Sequence, residues 1–65
     1  MLIRKQSLIS GKYNSMELPV TEQQLSAWKS GTVIQDAMPQ LSDYQREFLI
    51  TGMDSEEQDL YFSGR

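Results

Sequence analysis

The sequence has no cysteine and no histidine among its 65 residues. Without cysteine it can form neither a disulfide nor a thiolate metal site, and without histidine it lacks the commonest general base and metal ligand. No apolar run approaches the roughly 20 residues of a membrane span, and residues 1–9 lack the apolar core of a signal peptide. We therefore expect a soluble, cytoplasmic protein with no metal, no cofactor and no membrane contact.

Positive charge is scarce in the second half of the chain. Residues 1–35 carry four basic and two acidic side chains, whereas residues 36–65 carry seven acidic and two basic ones. The net charge is therefore +2 in the first part and -5 in the second. This distribution does not favour direct nucleic acid binding, and it makes a basic protein surface the better match to the C-terminal half.

Two runs that alternate apolar and polar residues, within residues 1–20, predict a β-hairpin whose turn contains Ser10 and Gly11. A two-residue turn pairs Arg4 with Glu17 and is the register we favour. A three-residue turn with a bulge at Gly11 places Arg4 beside Met16 and is the alternative. The favoured register pairs Leu8 with Tyr13 near the tip, and it collects an apolar inner face of Met1, Ile3, Ile9, Met16, Leu18 and Val20. Because Lys5 and Ser7 interrupt this face, we expect the tip to project from the core.

Four helices follow from start and stop signals. Thr21 and Ser42 each stand three residues before a glutamine, and Asp54 stands three residues before Glu57. This spacing predicts three capping boxes at helix starts. Thr32 is a weaker fourth helix start. Gly31, Gly52 and Gly64 are expected to end helices, as is Pro39. The single predicted domain, residues 1–65, is α+β with the order ββαααα: a hairpin over 1–20 and helices over about 22–30, 33–38, 43–51 and 55–62. Trp28 is predicted to anchor the core, surrounded by Met16, Leu18, Leu25, Phe48 and Leu49.

The combination of several segments resembles a scattered group of small proteins from bacteria, plasmids and phages, for which no activity is known. The resemblance covers nearly the whole chain and rests on residues 10–12, 18–21, 34–39, 41–42, 46–49 and 51–52, together with Trp28, Gly31 and the acidic last helix. At Gln58 the group's pattern has an aromatic residue such as tryptophan. The resemblance implies a mobile-element context, in which small proteins often bind a host protein.

The sequence contains no convincing catalytic pattern. Asp43 and Glu47 lie four residues apart on a helix but on the side opposite the apolar stripe, where burial cannot raise a pKa. The segment Ser10 to Lys12 lacks the preceding glycine and the following helix of a phosphate loop. The acids after Gly52 lack the central glycine of a calcium loop and are explained by helix capping.

We therefore expect no enzymatic activity and no catalytic residue. The prediction is a small binding protein that modulates or inhibits a host protein with a basic surface. The predicted contacts are Glu56, Asp59, Tyr61 and Phe62 on the last helix, with Leu8 and Tyr13 at the hairpin tip as a further surface. The alternative is a structural protein that forms a homo-oligomer by pairing the exposed edges of its hairpin.

Overall fold

A two-stranded antiparallel hairpin is followed by four helices in the computed structural model, which describes residues 1–63. The elements are β1 (Leu2–Gln6), β2 (Tyr13–Glu17), α1 (Glu22–Lys29), α2 (Ile34–Ala37), α3 (Asp43–Thr51) and α4 (Ser55–Ser63). The predicted α+β class is confirmed, and the predicted stop at Gly64 lies outside the described residues. Among residues 1–63, no helix is long and apolar enough to cross a membrane.

Both sequence-based registers of the hairpin were wrong. Arg4 pairs with Ser15, and β1 and β2 are joined by a loop whose four central residues lie between Ser7 and Lys12. The Ser7 amide donates to the Lys12 carbonyl at 2.8 Å, and the Gly11 amide donates back to the Ser7 carbonyl at 3.0 Å. Gly11 has a φ of +77°, as predicted for this turn. The longer loop shifts the pairing by two residues from the favoured register.

The shifted register changes both ends of the hairpin. Glu17 pairs across the sheet with Leu2 and not, as predicted, with Arg4. Its carboxylate contacts the N-terminal amine at 2.5 Å. Tyr13 pairs with Gln6, so the predicted pair of Leu8 and Tyr13 does not form. Ile9, expected on the inner face, lies in the loop with more than half of its surface exposed.

The tip does not project freely, because its inner side rests on the helices. Ser7 is buried, and the amide of Leu8 donates to the carbonyl of Thr51 at 2.9 Å. Lys5 also points inward, where its ammonium donates to the Leu49 carbonyl at 2.7 Å. That carbonyl lies in the last turn of α3, where carbonyls lack helical partners and a cation is favourable. The two residues that were expected to interrupt the inner face therefore attach it to α3.

The helix starts agree with the sequence in three cases out of four. Thr21 and Ser42 form complete capping boxes, and Asp54 accepts from the Glu57 amide at 2.8 Å. Thr32 does not cap α2, whose first residue follows Val33 without a side-chain cap. The reason is that the Thr32 amide donates to the Ala27 carbonyl at 3.0 Å, so this residue closes the end of α1 instead.

The core lies where α2 and α3 meet the open end of the hairpin. Its buried apolar residues are Leu18, Val20, Ala37, Met38, Leu41, Phe48 and Leu49. Trp28 is only partly buried and packs against the side of this cluster together with Leu25, and α1 contributes no buried residue. The prediction that Trp28 anchors the core was therefore wrong. Phe48, which is fully buried, has that role.

Gln58 is the buried polar residue of α4. Its amide nitrogen donates to the Tyr44 carbonyl at 3.0 Å and to the Met53 carbonyl at 2.9 Å. Both hydrogen bonds tie α4 to the backbone of α3 and of the segment between the helices. The buried side-chain nitrogen of Gln58 therefore has two acceptors, as a buried polar group requires.

Candidate partner-binding surface

The hairpin tip and the start of α4 are held together by one carboxylate. Glu57 accepts hydrogen bonds from the Ser10 hydroxyl and, at 2.6 Å, from the Asn14 side-chain amide. The Asn14 amide also donates to the Gly52 carbonyl at 2.9 Å, at the end of α3. These contacts join residues more than 35 positions apart in the sequence and fix the tip against α4.

The pKa of Glu57 is lowered from its ordinary value of 4.5. The main cause is the hydrogen bond from Ser10, with smaller contributions from Asn14 and the Asp54 backbone, and partial desolvation opposes them. Glu57 is therefore a carboxylate at neutral pH. Because its oxygens are already occupied by the tip, it is not free to bind a partner.

A groove runs between the hairpin tip and α4, with a volume of about 440 Å³. Its apolar walls are Ile9 from the tip and Leu60 and Tyr61 from α4, and its polar rim includes Lys12 and Glu56. These apolar side chains are 56%, 71% and 51% exposed, respectively. We call this feature the tip groove. It combines an uncovered apolar surface with an exposed carboxylate that has no structural role in capping α4.

A second groove, of about 390 Å³, lies between α3 and α4. Asp43, Glu47 and Asp59 line it, together with Tyr44 and Phe62. The Tyr44 hydroxyl donates to the Asp59 carboxylate, and this hydrogen bond, together with the negative charge, raises the pKa of Tyr44. We call this feature the helix groove. Asp59 is thus engaged with Tyr44, whereas Glu56 in the tip groove is not.

The predicted contact residues are divided among three places. Glu56 and Tyr61 line the tip groove, and Asp59 and Phe62 line the helix groove. Leu8 is exposed on the loop, and Tyr13 lies on the outer face of the sheet.

Ile9 and Leu60 were not among the predicted contacts. Leu60 could have been found, since it stands four residues after Glu56 and shares its helix face. Ile9 could not, because its position depends on the true loop length.

Within residues 1–63, no three acidic side chains are placed to hold a metal ion. Asp43 contacts Arg46 at 3.1 Å on its own helix, and the segment Ser10 to Lys12 leads into β2 rather than into the helix of a phosphate loop.

No family model, curated protein or solved structure matches this chain. What the chain does must therefore be inferred from its own surface.

Proposed function

We propose that this is a non-enzymatic binding protein that modulates or inhibits a host protein by docking the tip groove onto a basic segment. In this proposal the protein acts in the cytoplasm and originates from a phage or another mobile element, as the resemblance of its sequence implies. The carrying observation is the uncovered apolar surface of Ile9, Leu60 and Tyr61 beside the free carboxylate of Glu56. A rimmed apolar surface of this kind is typical of protein interaction sites.

Charge complementarity defines the chemistry of the partner. Seven of the nine acidic residues fall after residue 35, and α4 itself has Glu56, Glu57 and Asp59. A matching segment presents an apolar side chain to the groove walls and a lysine or arginine to Glu56. The apolar anchor supplies most of the affinity, whereas the charges supply specificity and the association rate.

The experiment begins with affinity capture from the host cell and identification of the partner by mass spectrometry. Glu56→Gln should then weaken binding at least tenfold, about 1.4 kcal/mol, and reduce its dependence on salt. Glu22→Gln is the matched control, because Glu22 is also an acid in the first turn of a helix but lies on α1. Leu60→Ser tests the apolar wall in the same assay.

Three outcomes would contradict this placement. Unchanged affinity and salt dependence in Glu56→Gln, with Leu60→Ser also binding normally, would move the contact away from the tip groove. An Asp59→Asn variant that alone abolishes binding would place the contact in the helix groove instead. Loss of binding in Leu8→Ser and Tyr13→Ser alone would place it on the outer side of the tip.

Self-association is the second candidate function, because the sheet has only two strands. Every second residue pair of the hairpin, from Met1 with Leu18 to Ser7 with Lys12, exchanges the hydrogen bonds between the strands. The backbone amides and carbonyls of Leu2, Arg4 and Gln6 therefore point away from β2, toward an open edge of the sheet. Such an edge can pair with that of a second copy to make a four-stranded sheet. Light scattering at micromolar concentration decides this: a dimer supports edge pairing, and a monomer contradicts it.

A further inference from the structure

The sheet has a second edge, which runs along β2. Residue pairs that exchange hydrogen bonds between the strands alternate with pairs that do not, so the backbone amides and carbonyls of Tyr13, Ser15 and Glu17 point away from β1. No hydrogen bond within residues 1–63 reaches these backbone groups, and all three residues are exposed. We call this feature the β2 edge. A row of unpaired amides and carbonyls of this kind is a template for another strand.

The edge along β1, by contrast, is protected against pairing. Arg4 and Lys5 place two adjacent positive charges in the strand, and Lys5 points inward. Charged and inward-pointing side chains of this kind are common protections of sheet edges. The end of α3 also crowds the last residue of β1, since a Cβ built on Gly52 would lie 2.2 Å from the Gln6 carbonyl oxygen. The β2 edge has neither protection, because β2 contains no lysine, arginine or proline and the main helix contact of the sheet is that of α3 with β1.

The sequence of β2 is complementary to itself in antiparallel pairing. With Ser15 on a two-fold axis, Tyr13 lies opposite Glu17 of the second copy, and Ser15 lies opposite Ser15 of that copy. This register uses every outward amide and carbonyl of both β2 edges and places no like charges opposite each other. The same arrangement of β1, centred on Arg4, would place two arginines directly opposite each other, which is destabilising.

The charges next to the β2 edge are complementary in the same register. The Arg4 guanidinium lies 4.6 Å from the ring centroid of Tyr13 and makes no ion pair within residues 1–63. A glutamate opposite Tyr13 on the same face brings a carboxylate beside that ring and toward the cation. One carboxylate oxygen of Glu17 contacts the N-terminal amine of its own chain, which leaves the second oxygen for Arg4 of the other copy.

We propose that two copies of this chain pair their β2 edges about Ser15 and form a four-stranded sheet in the order β1-β2-β2-β1. The inference rests on self-association, the second candidate function, and specifies its edge and its register. The occupant is a second copy because β2 and Arg4 themselves supply both the strand and the complementary charges. Two-fold pairing also closes the assembly at a dimer, since each copy uses its β2 edge once.

Cysteine crosslinking tests the register, because the chain has no cysteine of its own. In a hydrogen-bonded antiparallel pair the opposite Cα atoms are about 5.5 Å apart, which is within the range of a disulfide. Ser15→Cys should therefore form a disulfide-linked dimer at least ten times faster than Arg4→Cys, the matched variant on the same face of β1. Crosslinking of Arg4→Cys at an equal or greater rate would overturn the proposal while leaving self-association itself in place.

Sedimentation equilibrium measures the dissociation constant of the dimer. Ser15→Lys should raise this constant at least tenfold, because two ammonium groups then lie opposite each other. Ser26→Lys is the matched control, since it makes the same change at an exposed position of α1, and should alter the constant by less than twofold. Ser15→Pro should also dissociate the dimer, because the amide that proline lacks points outward and is not needed in the monomer. Circular dichroism melts verify that each variant is folded.

Three outcomes of sedimentation would overturn the proposal. Equal effects of Ser15→Lys and Ser26→Lys would show a general charge effect instead of pairing at Ser15. A mass that keeps rising beyond twice 7.5 kDa with concentration would show open pairing of β1 with β2. A parent chain that is monomeric at every concentration would refute self-association as well as the β2 edge.

Discussion

Replacing Gly52 by alanine should strongly destabilise the protein, because the end of α3 touches the backbone of the hairpin there. Gly52 has a φ of +78°, and a Cβ built on it would lie 2.2 Å from the Gln6 carbonyl oxygen and 2.9 Å from the Ser7 nitrogen. The left-handed conformation alone costs alanine about 1–2 kcal/mol. The approach must also open to about 3 Å, which displaces the backbone that carries the hydrogen bonds of Ser7 to Lys12 and of Leu8 to Thr51.

The displacement adds to the conformational cost. Overpacking of a buried contact typically costs about 1–3 kcal/mol, so the sum for Gly52→Ala is about 2–5 kcal/mol. A 65-residue domain has a total stability of about 3–10 kcal/mol. Gly11→Ala is the matched control, since Gly11 has a φ of +77° but no atom within 4 Å of its added Cβ. It should lose only about 1 kcal/mol, and Lys12→Ala should be nearly neutral.

Urea unfolding followed by circular dichroism measures both variants. With a slope of about 1 kcal/mol per molar urea, Gly11→Ala should lower the midpoint by about 1 M and Gly52→Ala by about 2–5 M. Midpoints within about 0.5 M of each other would refute the close approach of α3 to the hairpin. The left-handed conformation is common to both glycines, so only the contact with Gln6 and Ser7 distinguishes them.

Three further predictions test the core and the contacts of α4. Phe48→Ala should cost about 3–5 kcal/mol, whereas Trp28→Ala, at a partly buried site, should cost less, about 2–3 kcal/mol; the reverse order in urea unfolding would restore Trp28 as the core anchor. Because hydrogen bonds lower the pKa of Glu57 from 4.5, its carboxylate stabilises the fold above that pH and loses this effect as pH falls through the lower, folded-state pKa. The difference in melting temperature between the parent and Glu57→Gln should therefore shrink from pH 7 to pH 3, and a constant difference would contradict it. Gln58→Leu should cost about 1–3 kcal/mol by removing both of these buried hydrogen bonds, and Gln58→Glu more; a neutral Gln58→Leu would show that the two hydrogen bonds contribute nothing to stability.

The starts and ends of most helices could be predicted from the sequence because their signals are local. A cap at Thr21 or Ser42 needs only the amide three residues later, and Gly52 ends α3 by its own conformation. The wrong prediction of a helix start at Thr32 also comes from reading local signals alone. Its amide was already used by the preceding helix, a competition that a fixed spacing of residue types does not reveal.

The candidate surfaces could be predicted only in part. The sequence predicts that Glu56 and Tyr61 belong to an exposed helix. Their position next to Ile9 depends on the four-residue loop and on the Glu57 contacts that fix the tip. The place of Trp28 was missed, because a lone tryptophan in a small domain is expected in the core. Its position follows from α1 packing at the side of the core rather than within it.

The sequence by itself determined the class of the fold, the order of its elements and most helix boundaries, since each depends on residues within about one turn of one another. Tertiary structure alone decided the register of the hairpin and the direction of Lys5. Both depend on carbonyls in the last turn of α3 that have no partner within the helix. These carbonyls accept hydrogen bonds from the Lys5 ammonium and the Leu8 amide, although they are more than 40 residues away from Lys5 in the sequence. Those carbonyls need hydrogen-bond donors. The strand residue that supplies each donor is determined only when the hairpin packs on the helix.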